Sequence, residues 1–375
     1  MKHISLCLLV FTMTTTIISA QRAPQGRSGG YPFMRWRTVA TAMPPEWYGS
    51  DEAKRVAETV LLGQKDIGGW AKNIAYHRMF SESEKERFLQ GKSEIGATFD
   101  NDATITELRF LARVYSQADD ERYKEAFERG LDYIFMSQYK NGGWPQFFPF
   151  RDEEGEHYSA YITFNDHAMV NILWFLHEIF SGDELYTSLQ ISSDKKEHAR
   201  KAFDRGIECI LKTQIIMDDK PTVWCAQHDA QTFAPARART YELESFSGSE
   251  SVGIVLLLMS IDDPDEDIIA SVNGAVEWFE KNKIEGIRLR REINQEGRRD
   301  VIVVEDKEAP PIWARFYDLE TVKPIFCDRD GIKKHSLAEI GHERRNGYSW
   351  YTYAPAELLQ KYPEWRKKTD LESQD

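Results

Sequence analysis

The chain is 375 residues long, with 48 basic and 61 acidic side chains, a formal net charge of −13 and 41 % apolar residues, including 10 Trp, 16 Tyr and 20 Phe. That charge disfavours nucleic acid and anionic membrane as partners, while the apolar and aromatic content is ample for a large core and suits stacking on sugar rings. Cysteine is too sparse for a disulfide framework.

Residues 1–20 carry an export pattern. Lys2 and His3 form a short polar start, an apolar run covers 4–10, and Ile17-Ile18-Ser19-Ala20 ends in small residues, the three regions of a secretory signal. Thr14-Thr15-Thr16 interrupts the apolar stretch, which is short of the ~20 residues of a membrane span. Export to the periplasm or the exterior is expected. Processing would remove Cys7 and leave Cys209, Cys225 and Cys327. Cys209 reads as a small core residue, and a Cys225–Cys327 pair is open without being required. Residues 21–44, rich in Arg, Gly and Pro, read as an extended lead-in, 45–367 as one domain, and 368–375 as an acidic tail.

Within the domain, apolar residues recur at intervals of three and four over 51–62, 103–117, 122–137, 165–181, 196–213, 250–261 and 267–283, predicting helices. Thr104 with Glu107 and Ser247 with Glu250 have the spacing of capping boxes. Strand-like alternation is confined to short pieces such as 300–304. The expected class is all-α.

An internal repeat orders these helices. Gln64-Lys65-Asp66-Ile67-Gly68-Gly69-Trp70 is echoed by Gln138-Tyr139-Lys140-Asn141-Gly142-Gly143-Trp144, and a degenerate third copy runs from Gln214 to Trp224. Each copy follows a helix end, where glycine closes the helix with positive φ. A period of this size holds two helices and predicts stacked helical hairpins. Closed on itself, the stack is an α/α toroid with long loops forming a cleft at one end, where a site would lie.

Polar groups crowd at five helix edges: 99–104, 163–167, 224–229, 236–242 and 313–331. Asp100 and Asp166 each stand at a predicted helix start, so each reads as a helix cap stabilising by about 1 kcal/mol. The alternative is a hard-cation site, since carboxylates beside the amide oxygens of Asn101 and Asn165 suit Ca2+; no His-Glu-x-x-His or Cys cluster suggests zinc. Arg237, Arg239, Arg315 and Arg329 lie beside aromatic and acidic residues. Their guanidinium forks match carboxylates and so an acidic substrate, against the plainer reading of surface ion pairs. His167, His228 and His335 read as hydrogen-bonded structural groups ahead of bases.

From about Trp47 to Trp365 the chain resembles the family 10 pectate lyases. The resemblance is carried by DNDATITELRFLAR (100–113), YKNGGWPQFFP (139–149), ITFNDHAM (162–169), WCAQHD (224–229), ARTYELESFSGSES (238–251), WARFYDLE (313–320) and IFCDRDG (325–331), in one order. It implies an all-α toroid that cleaves α-1,4-polygalacturonate with Ca2+ by β-elimination, giving unsaturated oligogalacturonides. It also implies that Asp100 and Asp166 hold the metal, that Arg239 is the catalytic base with Arg237 as its alternative, and that Arg315 and Arg329 bind substrate carboxylates. Residues 286–310 match none of the family's motifs. The expected partner is polygalacturonate, and the expected assembly a monomer. A net-negative protein acting on a polyanion needs a bound cation and clustered arginines to reverse the field locally.

The residue types suit the chemistry. Removing the proton on C5 of a galacturonate places charge beside a carboxylate, which a Lewis acid or an arginine stabilises. Arginine holds its proton to roughly pH 12, so an alkaline optimum is expected, with burial and a nearby cation easing release. The rival readings are a glycoside hydrolase on an α/α toroid, with Asp100 and Asp166 as acid and base, and a non-catalytic carbohydrate-binding protein. The Gln-x-x-x-Gly-x-Trp repeat is also similar to that of terpenoid cyclases, but the chain has no Asp-x-Asp-Asp motif.

Overall fold

The computed structural model describes residues 34–151 and 157–372; the export pattern lies outside the described residues. The compact unit is Arg35–Asp375. Its main helices alternate between two layers. Asp51–Gly63, Glu121–Ser137, Ser193–Thr213 and Glu266–Lys281 pack in succession as an outer layer. Ile105–Ala118, Ala168–Ser181 and Glu250–Leu258 pack in succession inside it. This is an all-α, toroid-type winding of helical hairpins. Two of the inner helices, Ala168–Ser181 and Glu250–Leu258, are apolar over most of their circumference because protein covers them on several sides; Ile172, Leu173, Phe175 and Leu176 of one and Ile254, Val255, Leu257 and Leu258 of the next are fully buried.

The repeat explains the register. Trp70, Trp144, Trp224 and Trp313 are all buried. Each indole N–H donates to a carbonyl of the preceding outer helix: Val60 at 2.8 Å, Ile134 at 2.9 Å, Ile210 at 2.8 Å and Phe279 at 2.8 Å. The structure thus contains a further copy, at Trp313, which sequence spacing misses because the hairpin of residues 287–305 is inserted before it. Gln64 and Gln138 each stitch a copy to the next outer helix, donating to Ala126 O and Ala202 O at 2.8 Å. Gly68 and Gly142 have φ of +106° and +92°, and a Cβ there would stand 2.3 and 2.0 Å from the carbonyls of Arg129 and Arg205. Only glycine allows that turn to press against the neighbouring helix.

Some elements depart from expectation. Glu82–Gln90 is a helix with no buried residue, held by a Ser81–Glu84 capping box, so apolar periodicity could not reveal it. Trp36–Thr41 is helical within the segment read as extended, and Val39 and Ala40 bury there. The terminal helix Ala354–Glu372 carries Pro363 and runs into the stretch read as a tail. The capping box expected at Thr104 is absent. Thr104 Oγ1 instead donates to Thr98 O at 2.9 Å and accepts from Trp70 N at 3.0 Å, while Glu107 accepts from the Trp36 indole at 2.6 Å. The strands Ile287–Ile293 and Arg299–Glu305 form an antiparallel hairpin, as the alternation at 300–304 suggested.

Candidate active site

Two short turns precede inner helices, and both have the same backbone form. In Asp100–Asp102 the left-handed residues are Asn101 and Asp102, with φ of 53° and 62°; in Asn165–His167 they are Asp166 and His167, with φ of 49° and 61°. Asn and Asp tolerate this region through local hydrogen bonding. Each turn is fastened to the next copy's loop: Phe99 N–H donates to Gln146 O at 3.1 Å, and Phe164 and Asn165 N–H both donate to Ala226 O at 2.9 Å. Neither Asp100 nor Asp166 caps the helix that follows it. The plain capping reading fails, because the left-handed turn carries both carboxylates away from the helix N–H groups.

The turns that carry the two acids pack against each other, and the charge of Asp100 adds to the upward shift of the Asp166 carboxyl. Asp100 is buried, with one oxygen on the Lys72 ammonium and Oδ1 without a hydrogen-bond partner. Asp166 is more open. Its Oδ2 accepts from Asn165 Nδ2 at 3.2 Å and its Oδ1 faces Arg315 at 3.4 Å. Burial raises the Asp166 carboxyl above the usual range; Arg315 opposes this, while Glu250 and Asp100 add to it.

Arg315, with 9 % side-chain exposure, lies between Asp166 and the buried Glu250, and also donates to Asn165 Oδ1 at 3.0 Å. Its guanidinium lies 4.6 Å from the Tyr348 ring centroid. Arg239 lies 5.9 Å from the centroid of the same ring and 5.0 Å from that of Tyr241. Arg239 Nε donates to Glu242 Oε2 at 2.8 Å, and Tyr348 OH donates to Glu242 Oε1 at 2.7 Å. Burial pulls the Arg239 proton affinity down, yet Glu242 outweighs it and the net direction is upward. This opposes the easing by burial expected from sequence. Arg329 is 64 % exposed, pairs with Glu343 at 3.0 Å and lies 5.9 Å from the Tyr241 centroid. Arg237 donates to the Thr240 carbonyl at 2.8 Å and packs at Gly331. Arg239 and Arg315 therefore share one aromatic wall with Asp166 nearby; Arg329 stands at its outer end, and Arg237 has no contact with Tyr348 among the described interactions.

His228 is structural. Its Nε2 accepts from Cys225 N–H at 3.0 Å, its Nδ1 pairs with Phe233 O at 2.8 Å, and burial lowers it to about 4, so it stays neutral. His167 and His335 are exposed. Cys209, Cys225 and Cys327 are buried and free. Sequence reasoning missed Lys72, Glu242, Glu250 and Tyr348. Glu250 was read only through its spacing from Ser247; that contact exists, with Glu250 N–H donating to Ser247 Oγ at 3.0 Å, but its carboxylate serves Arg315. Glu242 lies three residues past Arg239, a weak ion-pair signal, and Lys72 and Tyr348 had none.

The donor set fits a hard cation in part. Asp100 Oδ1 is a buried oxygen without a partner, next to a second carboxylate. Among the described residues no group of three or more His, Cys, Asp or Glu is arranged to hold a metal. A cation that takes 6–8 oxygens would need the rest from water and substrate. Asn165 Oδ1 is already engaged by Arg315.

The pectic acid lyase family profile matches residues 64–359. A mutant of a family 10 polysaccharide lyase from Cellvibrio cellulosa, in complex with trigalacturonic acid, aligns at 31 % identity and a TM-score of 0.74, covering 88 % of this chain and 95 % of that one. Another structure of family 10 polysaccharide lyase from the same organism aligns at 31 % identity and 0.74, covering 88 % and 94 %. Among curated proteins no match was found. With the profile spanning most of the chain and the fold shared with these relatives, the chain belongs to the pectic acid lyase family and is a polysaccharide lyase.

Proposed function

We propose that this lyase cleaves α-1,4-polygalacturonate by Ca2+-dependent β-elimination, with Arg239 as the base, releasing unsaturated oligogalacturonides. The observation that carries the reading is the shared Tyr348 wall. It brings Arg239 and Arg315 to one ring, at 5.9 and 4.6 Å from its centroid, with Asp166 within reach of Arg315. A neighbour crystallised with trigalacturonic acid supports the substrate class. The 1–20 segment supports export, and no described helix is long and apolar enough to cross a membrane. A monomer remains the simplest assembly for a site built within one chain.

Asp100 and Asp166 would hold Ca2+, which when bound withdraws electron density from the uronate carboxylate. Arg315, fixed by Glu250, keeps a positive charge beside Asp166 and stabilises negative charge developing on the substrate. Arg329 offers an exposed fork to a second carboxylate, after exchange with Glu343. Arg239 takes the C5 proton. Glu242 aims its guanidine, and because it also favours the protonated form, turnover belongs to alkaline solution. Incubation with polygalacturonate, with and without Ca2+, tests this. A near-ultraviolet absorbance should grow only with the metal; saturated products, or growth unaffected by EDTA, would remove the reading.

A further inference from the structure

The hairpin of residues 287–305 has two chemically different faces. Register pairs Leu289 with Val303, Arg291 with Val301 and Ile293 with Arg299, so these six side chains share one face. On the opposite face and at the tip, basic side chains are matched by acids: Arg288 with Asp306 at 2.7 Å, Arg290 with Glu292 at 2.8 Å, and Arg298 with Glu296. Asp300 anchors the hairpin through Arg345 at 2.7 Å and Asn346 at 2.8 Å. Leu289 and Val301 pack against the core cluster that contains Phe316 and Trp350.

Arg291 and Arg299 are the exception. Both are exposed, and among the described residues neither guanidinium has an acidic partner. They are diagonal neighbours on one face, where like charges repel. Together with Leu289 and Val301 they line a cleft of about 880 Å³, whose other walls include Asp166, Arg315 and Tyr348. That volume is near the top of the roughly 300–1,000 Å³ that encloses a drug-sized ligand, so the cleft has room for more than one sugar ring. The acids of the same cleft are engaged elsewhere, Asp166 by Arg315 and Asp300 by Arg345, so two unmatched cations on an anchored hairpin are an anion site facing the reacting centre.

We propose that Arg291 and Arg299 form a further carboxylate-binding subsite, which grips a uronate residue of the same chain away from the scissile bond and gives the enzyme preference for long, unesterified polyuronates. The inference rests on the substrate reading above. It also supplies part of the local positive field that a protein of net charge −13 needs against a polyanion.

The test compares Arg291→Ala/Arg299→Ala with wild type and with Arg290→Ala, a change on the opposite face. Michaelis constants are measured on galacturonate trimers, hexamers and polymer, and mobility is followed in native gels containing polygalacturonate or a neutral glucan. The double variant should show a KM for polymer raised about tenfold, as expected for losing charged hydrogen bonds, a smaller change for trimer, and weaker retardation by polygalacturonate alone. Arg291→Lys/Arg299→Lys, which keeps charge but loses the fork, should fall between and guards against misfolding of the alanine form. An unchanged KM and mobility, or an equal loss at every chain length, would overturn the subsite. If wild type is retarded by polygalacturonate but yields no unsaturated product, the β-elimination reading fails while the gel still decides the subsite.

Discussion

The turns Asp100–Asp102 and Asn165–His167 are copies of one backbone form, yet they do different work. Aligned by their left-handed residues, Asp100 corresponds to Asn165, and Asn101 to Asp166. The two carboxylates are therefore offset by one residue within equivalent turns. Asp100 is buried and paired with Lys72, with an orphaned oxygen; Asp166 is more open and shared with Arg315. A repeat supplies equal scaffolds, and a one-residue offset on them turns two like acids into a pair that can face one ligand from different depths.

The comparison can be broken at several points. The largest effect concerns whether either acid is the base. Arg239→Ala should lower the rate of unsaturated product formation by about 10²–10⁴, the usual contribution of a general base, with the native circular dichroism spectrum kept and some melting temperature lost because the buried Glu242 loses its partner. Full activity in that variant, together with an acid optimum, would move the base to one of the turns. Next in size is stability. Asp100→Ala removes the buried partner of Lys72 and should cost about 1–3 kcal/mol in denaturant unfolding. Asp166→Ala should cost less, because Arg315 keeps Glu250. Equal losses would mean that the two turns are energetically alike.

Smaller effects sharpen the same contrast. Lys72→Met removes an ammonium competing for Asp100, so calorimetric Ca2+ affinity should rise by roughly threefold to tenfold, within what partly screened charge pairs deliver; weaker affinity would place Lys72 on the substrate. Glu242→Gln removes the anion that favours the protonated Arg239, so the alkaline limb of the pH–rate profile should move to lower pH. A limb that stays put would separate Arg239 from the proton transfer. The smallest change is in Asp166 itself. Its carboxyl is raised, so on acidification it should gain its proton above the ordinary value of about 3.9. In Asp100→Asn one repelling charge is gone, and the titration followed by carbon NMR should move down.

Much of the scaffold was legible in the sequence. The glycine-tryptophan repeat reports a local requirement, a positive-φ turn pressed on a neighbouring helix, and only glycine meets it. Helices with an apolar face, such as Ile105–Ala118 and Glu121–Ser137, print that face as periodicity. Glu82–Gln90 buries nothing and prints none. The candidate site was proposed as a set of residue types, through the motifs around Asp100, Asp166, Arg239, Arg315 and Arg329, but the contacts among them were not legible. Lys72 on Asp100, Glu250 on Arg315 and Tyr348 beside two arginines join residues distant along the chain, and ion pairing leaves no periodic trace.

By itself, the sequence determined the all-α class, the repeating hairpins and the stock of acids and arginines, because these follow from local backbone preference and the burial of apolar faces. Tertiary structure alone decided that Asp100 and Asp166 do not cap helices, that Glu242 holds Arg239, and that Arg291 and Arg299 line the cleft without an acidic partner among the described residues. Those outcomes depend on which charges the winding of the helices brings within a few ångströms, and electrostatic energy depends on that separation and on burial.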